Sequence, residues 1–351
     1  MSGTGRRVSV ERLAEFIAEA LEVAGLAPAD AQKVGRLMAE CDAIGGDAHG
    51  VFRLPQYVRR LRAGGYNARP DIRIASERAA MALIDGDNAM GHLVMSRAAE
   101  IAIEKARSTG VAWVGARFSN HAGPAAVYAR MPLAHDMIGV YVAVGSANHL
   151  PPWGGTEMLL STNPIAIAVP AMERPPVVLD MATTVAAYGK VKTYAQRGET
   201  MPEGWMIDRE GRPLTDPARS GEGFLLPIGG PKGYGLSLMF GILAGTLNGA
   251  AFGRAVVDFN ADDTSVTNTG HFIIAVDIAA FCDVGDFKRE IDRVWAEMKS
   301  SPLLPGFDEI RLPGERSNQV ELDRRARGVP VHAALGRALD ALAGELGIAT
   351  L

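Results

Sequence analysis

Apolar residues recur every three or four positions in several stretches of the chain, and this spacing predicts amphipathic helices. The first covers residues 9–25, where Leu13, Phe16, Ile17 and Leu21 share one face and Ser9 can cap the start. A second helix is predicted to open at Pro28. Further helices are predicted over residues 53–61, 93–108, 125–131, 286–299 and 330–346.

The middle of the chain instead carries short apolar or β-branched runs, which predict strands. These runs cover residues 81–84, 111–114, 137–144, 165–169, 177–180 and 272–276. Several are joined by loops too short to contain a helix, so the sheet should be mostly antiparallel or mixed. We therefore expect an α/β (α+β-like) fold, with this sheet flanked by helices. A helical domain would combine residues 1–75 with about 285–351, and a sheet domain would cover about 76–284, with a possible small subdomain at about 185–230.

Composition narrows the function classes. The chain has 351 residues, of which 48% are hydrophobic and 22% charged, as in ordinary globular proteins. The net charge of -4 gives no basic surface for nucleic acid, so an anionic substrate must be met by local cations. Cys41 and Cys282 lie in no CxxC pair, and we expect two reduced, buried thiols in a cytoplasmic protein.

Two segments bear on membrane association. Residues 1–7 are polar and basic with no apolar run behind them, so no signal peptide is expected. Residues 233–253 carry no charge but are rich in glycine, serine and asparagine, so a buried core helix is predicted rather than a membrane span.

Known nucleotide-binding, metal-binding and hydrolase motifs are missing from the sequence. The Rossmann fingerprint G-x-G-x-x-G does not occur, since the nearest match, Gly233-Tyr234-Gly235, lacks the third glycine. P-loop, H-E-x-x-H and G-x-S-x-G patterns are also missing, and no metal site is predicted. A Rossmann sheet is therefore disfavoured.

Candidate chemistry begins with His49 and Arg53. A histidine can exchange a proton near neutral pH, and an arginine can hold a carboxylate. His49 and Arg53 are four positions apart, so their side chains share one face if this turn is helical. Reduction of a 2-oxo acid needs both functions, although on spacing alone a single histidine beside a surface arginine is more often structural.

Several loops could approach a ligand. Residues 120–124 and 229–233 each precede a predicted helix, whose free N–H groups favour phosphate, and Lys232 adds a positive charge at the second. Residues 162–164, 180–184 and 312–315 lie at strand ends or turns. Each loop alone is also compatible with a simple turn.

Together and in this order, these segments resemble the malate/L-lactate dehydrogenase family, over residues 8–345. The segments that carry the resemblance are DAHGVFRLPQYVRRLRAG (47–64), SNHAGPAAVYA (119–129), PPWGG (151–155), TNPIAIAVP (162–170), VVLDMATT (177–184), GPKGYGLSL (230–238), NTGHFIIAVD (268–277) and LPGER (312–316).

The resemblance implies a family-specific, non-Rossmann fold that binds NAD or NADP on its sheet domain, and a homodimer with the active site near the subunit contact. It implies His49 as the leading proton donor, with His121 as the alternative, and Arg53 and Thr162 as substrate contacts. The implied cofactor contacts are His121, Ala122, Gly123, Pro124, Ala125, Ser146, Asp180, Met181, Ala182, Lys232, Pro313, Gly314 and Glu315.

The sequence also departs from the family pattern. Ala48 stands where the family usually has serine, so a relay from that hydroxyl to His49 is in doubt. Members that reduce cyclic imines tend to carry arginine and aspartate at positions occupied here by Tyr188 and Lys190. We therefore expect a dehydrogenase of small 2-hydroxy acids. The alternatives are a reductase of cyclic or N-alkyl imino acids and a non-catalytic ligand-binding relative. His149 and Trp153 could shape the pocket.

Overall fold

The computed structural model describes residues 5–351, apart from the side chain of Gln196, so the first four residues of the polar segment 1–7 lie outside it. Its α-helices are α1 (Val10–Val23), α2 (Pro28–Ala43), α3 (Leu54–Arg62), α4 (Gly91–Thr109), α5 (Ala125–Ala129), α6 (Tyr188–Arg197), α7 (Pro231–Ala244), α8 (Val284–Lys299), α9 (Glu315–Arg327) and α10 (Ala333–Leu346). Its strands are β1 (Arg6–Val8), β2 (Arg73–Arg78), β3 (Met81–Asp85), β4 (Val111–Ser119), β5 (Met137–Ala143), β6 (Ile165–Val169), β7 (Val177–Met181), β8 (Met206–Asp208), β9 (Gly223–Leu225), β10 (Thr269–Asp277) and β11 (Val329–Val331).

A seven-stranded sheet in the order β2-β3-β4-β10-β5-β6-β7 forms the centre of the fold. All neighbouring strands are antiparallel except β3 and β4, which are parallel because α4 crosses between them. The predicted mixed sheet is thus confirmed, and every predicted strand lies in it. Strands β4 and β10 are longer than their apolar runs, and the pairing of Ser119 with Thr269 extends the sheet toward the loop that carries His121.

Elements without an apolar pattern were missed. All six residues of β2 are exposed, so no hydrophobic alternation reveals that edge strand. Helix α9 is highly charged, and only Arg324 is buried along its length. The short pairs β1–β11 and β8–β9 depend on contacts between distant parts of the chain.

Two expectations about burial are wrong. The apolar helix predicted over 233–253 is α7, which ends at Ala244 and exposes Leu236, Met239 and Ile242. Only its other side packs against β5 and β10. Cys282 is likewise exposed, because it follows the turn that ends β10, whereas Cys41 is buried in α2, and both thiols are free.

Two apolar cores position the site. In the first, α1, α2, α3 and α10 pack together. In the second, α4 and α5 cover the sheet. Helix α2 approaches α1 closely at Gly35, where an added Cβ would lie 2.5 Å from the backbone oxygen of Ala14. This contact fixes the helix that leads directly into the loop carrying His49.

Gly35→Ala should therefore destabilise the protein by about 1–3 kcal/mol, because the overpacking of α1 and α2 outweighs the better helix propensity of alanine. Gly344→Ala is the matched control. Gly344 lies on an exposed face of α10 with nothing within 4 Å of its added Cβ, so alanine should stabilise by about 0.5–1 kcal/mol. Urea unfolding would measure both, and equal effects of the two substitutions would contradict the close contact.

Candidate active site

A buried carboxyl group anchors the loop between α2 and α3. The Asp42 carboxylate accepts a hydrogen bond of 2.7 Å from the backbone N–H of Val51. A Cβ at Gly50 would lie 2.2 Å from the same carboxyl group, so only glycine fits between them. Burial raises the pKa of Asp42 to about 8. His49 is consequently carried on a loop whose backbone is held at both ends.

Arg53 lies at the start of α3 with three of its hydrogen bonds already made. Its Nε donates to the Ala48 carbonyl at 3.0 Å, and its Nη1 donates to Gln56 Oε1 at 2.9 Å and Asn260 Oδ1 at 3.1 Å. Within residues 5–351 it forms no ion pair with a carboxylate. The guanidinium is therefore held rigidly at the cavity wall, and Nη2 is left for a ligand.

His121 follows β4 and is held on three sides. The Tyr57 hydroxyl lies 2.6 Å from His121 Nδ1. The rings of His49 and Phe259 stack on its two sides, with centroids 5.4 Å and 5.1 Å away. Because Tyr57 occupies Nδ1, Nε2 is the ring nitrogen available to a ligand.

The loop before His121 is anchored by Asn120, which is fully buried. Its side-chain amide donates to Asn88 and Ala89, and its Oδ1 accepts from the Thr267 hydroxyl at 2.7 Å. Its backbone oxygen lies 3.2 Å from Nε2 of His271. Contacts from separate segments of the chain thus fix the position of the His121 backbone.

The histidines of this cluster are neutral near pH 7. Burial, followed by the positive charge of Arg53, lowers the pKa of His49 to about 4. The pKa of His121 is lowered well below its usual range by burial, then by His49 and Arg53. A third histidine, His92, has a pKa lowered to about 3 by burial. Neutral imidazoles can accept a proton, and perturbed groups of this kind are typical of functional sites.

His49, His121 and Arg53 face a cavity of about 490 Å³. The predicted site residues that line it are His49, Arg53, His121, Ala122, Gly123, Pro124, Ala125, Ser146, Thr162, Asp180, Met181 and Ala182. A second cavity of about 300 Å³ is lined by Pro313 and Gly314. The two cavities share Gly45, Gly46, Pro124 and Asp180 as lining residues, so they adjoin.

Three predicted residues lie elsewhere. Lys232 is exposed at the start of α7 and lines neither cavity. Glu315 begins α9 beside the second cavity, but its carboxylate pairs with Lys299 at 2.6 Å. Trp153 is 55% exposed and packs near Gly230, whereas His149 lines the main cavity and stacks on Tyr188.

The adjoining cavities fit an elongated dinucleotide. Small residues line the shared wall, and Gly123 and Gly314 adopt positive φ angles of 78° and 85°. An added Cβ would collide with the backbone of Val178 at Gly314 and approach Nε2 of His92 at Gly123. Both positions therefore require glycine, and the small residues around them leave the joined cavities open to a ligand. No group of three metal-ligating side chains is found in residues 5–351.

Sequence reasoning missed several residues of this site. Tyr57 and His92 sit at buried helical positions, where their pattern is that of ordinary core residues. Phe259 and Asn260 belong to a loop without a recognisable motif. Lys192 follows the family segment at 177–184 by only eight positions, and its polar helix gave no further signal.

Comparisons with known proteins identify the family of this chain. The pattern of the malate/L-lactate dehydrogenase family matches residues 8–340. The chain belongs to this family. It is 40% identical to an L-sulfolactate dehydrogenase of Methanothermobacter thermautotrophicus, over 91% of this chain and 94% of the relative. It is 38% identical to a malate dehydrogenase of Pyrococcus horikoshii, over 97% and 96%.

The same fold occurs in solved structures. The structure of malate dehydrogenase from Pyrococcus horikoshii superposes with a TM-score of 0.90 at 36% identity, covering 99% of this chain and 97% of that chain. The predicted non-Rossmann α/β fold of this family is thereby confirmed.

The predicted reaction class is confirmed as well. Relatives named for their cofactor include an NAD(+)-dependent ureidoglycolate dehydrogenase of Escherichia coli and an NADP(+)-dependent sulfolactate dehydrogenase of Chromohalobacter salexigens, at 32% and 31% identity. The protein is a hydroxy acid dehydrogenase that depends on NAD or NADP. Within residues 5–351, no helix combines the length and hydropathy needed to cross a membrane.

His92 supplies a test of how tightly the histidine cluster is buried. Neither of its ring nitrogens has a partner, and its folded-state pKa of about 3 lies below the unfolded value of about 6.5. Below pH 6.5 the unfolded chain takes up a proton that the folded chain excludes, so this contribution to stability is present above pH 6.5 and lost as the pH falls.

His92→Leu should therefore reduce the acid sensitivity of the free energy of unfolding. Between pH 7.5 and pH 5.5, the wild type should lose about 1.4 kcal/mol more than the variant. Urea unfolding at both pH values measures this difference. His332→Gln, at a histidine on the surface, is the control and should lose as much as the wild type. If His92→Leu lost as much stability as the wild type between the two pH values, His92 would be shown to take up a proton in the folded protein.

Proposed function

We propose that this protein catalyses reversible hydride transfer between a nicotinamide cofactor and C2 of a small 2-hydroxy or 2-oxo acid, of the malate, lactate or sulfolactate type. One observation carries the proposal: the ring of His121, oriented by Tyr57, shares a cavity with the uncompensated guanidinium of Arg53. An acid needs the cation for its carboxylate, and the reaction at its C2 oxygen needs the imidazole.

Arg53 binds the substrate carboxylate through Nη2, while Ala48, Gln56 and Asn260 hold the guanidinium in place. Thr162 provides a further wall, and its backbone oxygen accepts hydrogen bonds from the N–H and the hydroxyl of Thr183. This orientation places C2 within the main cavity. It matters because productive alignment of the reacting atoms lowers the barrier.

His121 transfers the proton of the C2 oxygen through Nε2, accepting it during oxidation and donating it during reduction. We assign this role to His121 because its other ring nitrogen is held by Tyr57, the arrangement expected of an oriented acid–base group. Nδ1 of His49 is buried without a partner. His49 therefore packs against the reacting ring and shields it from water. A carboxylate on Arg53 would offset the charge that lowers both imidazole pKa values.

The residues predicted to hold the cofactor are the small and backbone-exposing ones along the two cavities, from Ala122 to Ala125, Ser146, Asp180 to Ala182, and Pro313 with Gly314. When bound there, NAD or NADP supplies the hydride chemistry. The Asp180 carboxylate accepts from the Ala126 N–H at 2.9 Å, which fixes the start of α5 beside this path. The choice between NAD and NADP is open to assay with both.

Substitution of the two histidines tests the catalytic assignment. His121→Gln should lower kcat for hydroxy acid oxidation by about 10²–10⁴-fold, the contribution of a positioned acid–base group. Tyr57→Phe should give a smaller loss, because it frees the ring without removing it. NADH binding, followed by fluorescence, should persist in both variants.

His49→Gln is the comparison. If kcat fell steeply in His49→Gln and stayed unchanged in Tyr57→Phe, the proton transfer would be assigned to His49 instead. Turnover with a cyclic imine but with no hydroxy acid would favour the imino acid reductase, as in the Δ1-piperideine-2-carboxylate reductase of Pseudomonas syringae, which superposes with a TM-score of 0.83 at 27% identity. Cofactor binding without any turnover would favour the non-catalytic relative.

We also propose that the protein is a cytoplasmic homodimer. Helix α7 and the turn after it expose an apolar row in which Leu236, Met239 and Leu247 are 43%, 50% and 62% exposed. Exposed apolar patches of this kind are typical of interfaces. Lys232 starts the same helix outside the cavities of its own chain, so its predicted cofactor contact would be made near the subunit contact. The two free thiols support the location.

Lys substitutions at both Leu236 and Met239 should convert the dimer to a monomer, because two charges would have to be buried at the contact. Analytical ultracentrifugation measures the change. Leu322→Lys, at an apolar side chain 65% exposed on α9, is the control and should leave the dimer intact. A wild-type protein that sediments as a monomer, or a double variant that remains dimeric, would contradict an interface through α7.

A further inference from the structure

A second cation faces the main cavity from α6. Lys192 lies in this helix and lines the cavity, with its Nζ 5.5 Å from the centre of the Tyr188 ring. That ring stacks on His149 with a centroid distance of 4.2 Å. The aromatic pair forms a flat floor under the ammonium group, on which the lysine side chain can extend into the cavity.

Lys192 has no counter-ion within the part of the chain that the structure describes. The carboxylate that influences it, Asp258, makes no ion pair with it and instead accepts two hydrogen bonds from Asn260, at 2.8 Å and 3.1 Å. Asn260 in turn accepts from Arg53. Partial burial and the positive charge of Arg53 lower the pKa of Lys192, and the negative charge of Asp258 opposes this shift. Two cations therefore share one cavity and repel each other.

Two uncompensated cations in one cavity indicate a ligand with two anionic groups. Anionic groups bound beside an ammonium and a guanidinium relieve the repulsion between the two cations. A single carboxylate on Arg53 would leave Lys192 unpaired. The net charge of the chain is -4, so this pair is a local arrangement and not part of a general basic surface.

We propose that Lys192 is a specificity-determining residue that binds a second anionic group on the substrate, a distal carboxylate or sulfonate, while Arg53 binds the C1 carboxylate. This inference rests on the proposed function and deepens it. Lys192 would select dianionic 2-hydroxy acids over lactate, which has the same C1 carboxylate and C2 hydroxyl but no second charge. The neutral ring of His149 lies beside the same position and can donate one hydrogen bond to it.

The test compares Lys192→Gln with the wild type on L-malate, sulfolactate and L-lactate. Glutamine keeps a similar length and helix propensity but removes the charge. We expect kcat/KM to fall by about 10- to 100-fold for malate and sulfolactate, the loss expected for a hydrogen bond between charged groups. The value for lactate should stay within about twofold. The larger of the two losses identifies whether the distal group is a carboxylate or a sulfonate.

Two further variants make the result specific. Lys192→Arg should keep the preference for dianions, because the charge remains. Arg197→Gln removes an exposed cation from the last turn of the same helix, away from the cavity. It should leave kcat/KM unchanged for all three substrates. Equal losses on malate and lactate, an unchanged malate value, or a raised KM for the cofactor alone would each overturn the role of Lys192.

A binding measurement separates this inference from the proposed function. Isothermal titration of L-malate and L-lactate into the protein with NADH should show tighter binding of malate in the wild type and similar affinities in Lys192→Gln. If the wild type turned over no hydroxy acid but still showed this difference, the catalytic proposal would fail and the subsite would stand. Normal turnover with an unchanged malate-to-lactate ratio in the variant would refute the subsite and leave the catalytic proposal intact.

Discussion

The hydrogen bond between Tyr57 and His121 connects two parts of the protein that lie 64 positions apart in sequence. Tyr57 belongs to α3 in the core of terminal helices, and His121 to the loop that leaves the central sheet. Arg53 precedes Tyr57 by four residues, which places both on one face of the same segment. In the proposed function, a single helix thus orients the acid–base ring and positions the cation that binds the substrate carboxylate. A shift of α3 relative to the sheet would disturb both functions together.

The proposed cofactor path is consistent with the lack of a compact nucleotide-binding fingerprint in the sequence. In a Rossmann sheet one glycine-rich turn brings the backbone to the pyrophosphate. Here the small residues come from separate places: the loop after β4, the loop after β5, the end of β7 and the turn before α9. Each segment contributes only a few lining residues. Because the contacts are divided among distant loops, no single stretch has the composition that a motif search detects.

The same division sets what the sequence can predict. The strands that form continuous apolar or β-branched runs were found, whereas β2 is exposed on all its residues and has no such run. His49, Arg53 and His121 were predicted as site residues from family motifs, and they line one cavity. Tyr57 was not, because a buried tyrosine in a helix has the same pattern whether its hydroxyl orients a catalytic ring or pairs with nothing. Lys192 could not be predicted from the sequence, because only the folded chain shows which side of α6 faces the cavity.

Burial makes this site depend on charges that the substrate brings. The imidazoles lose their protons because the surrounding protein cannot hydrate the charged forms, and Arg53 adds to that effect. In most buried sites a neighbouring carboxylate would compensate the guanidinium. Here its hydrogen-bond partners are the Ala48 carbonyl and the side-chain amides of Gln56 and Asn260, which are all neutral. The free protein therefore holds positive charge in a partly desolvated cavity. In the proposed function, binding of an anionic acid relieves that repulsion and raises the proton affinity of the histidines, while burial remains the larger cause of their low pKa values. A neutral analogue of the same shape would have neither effect. Selection of anionic substrates and the increase in histidine proton affinity therefore follow from the same electrostatic arrangement.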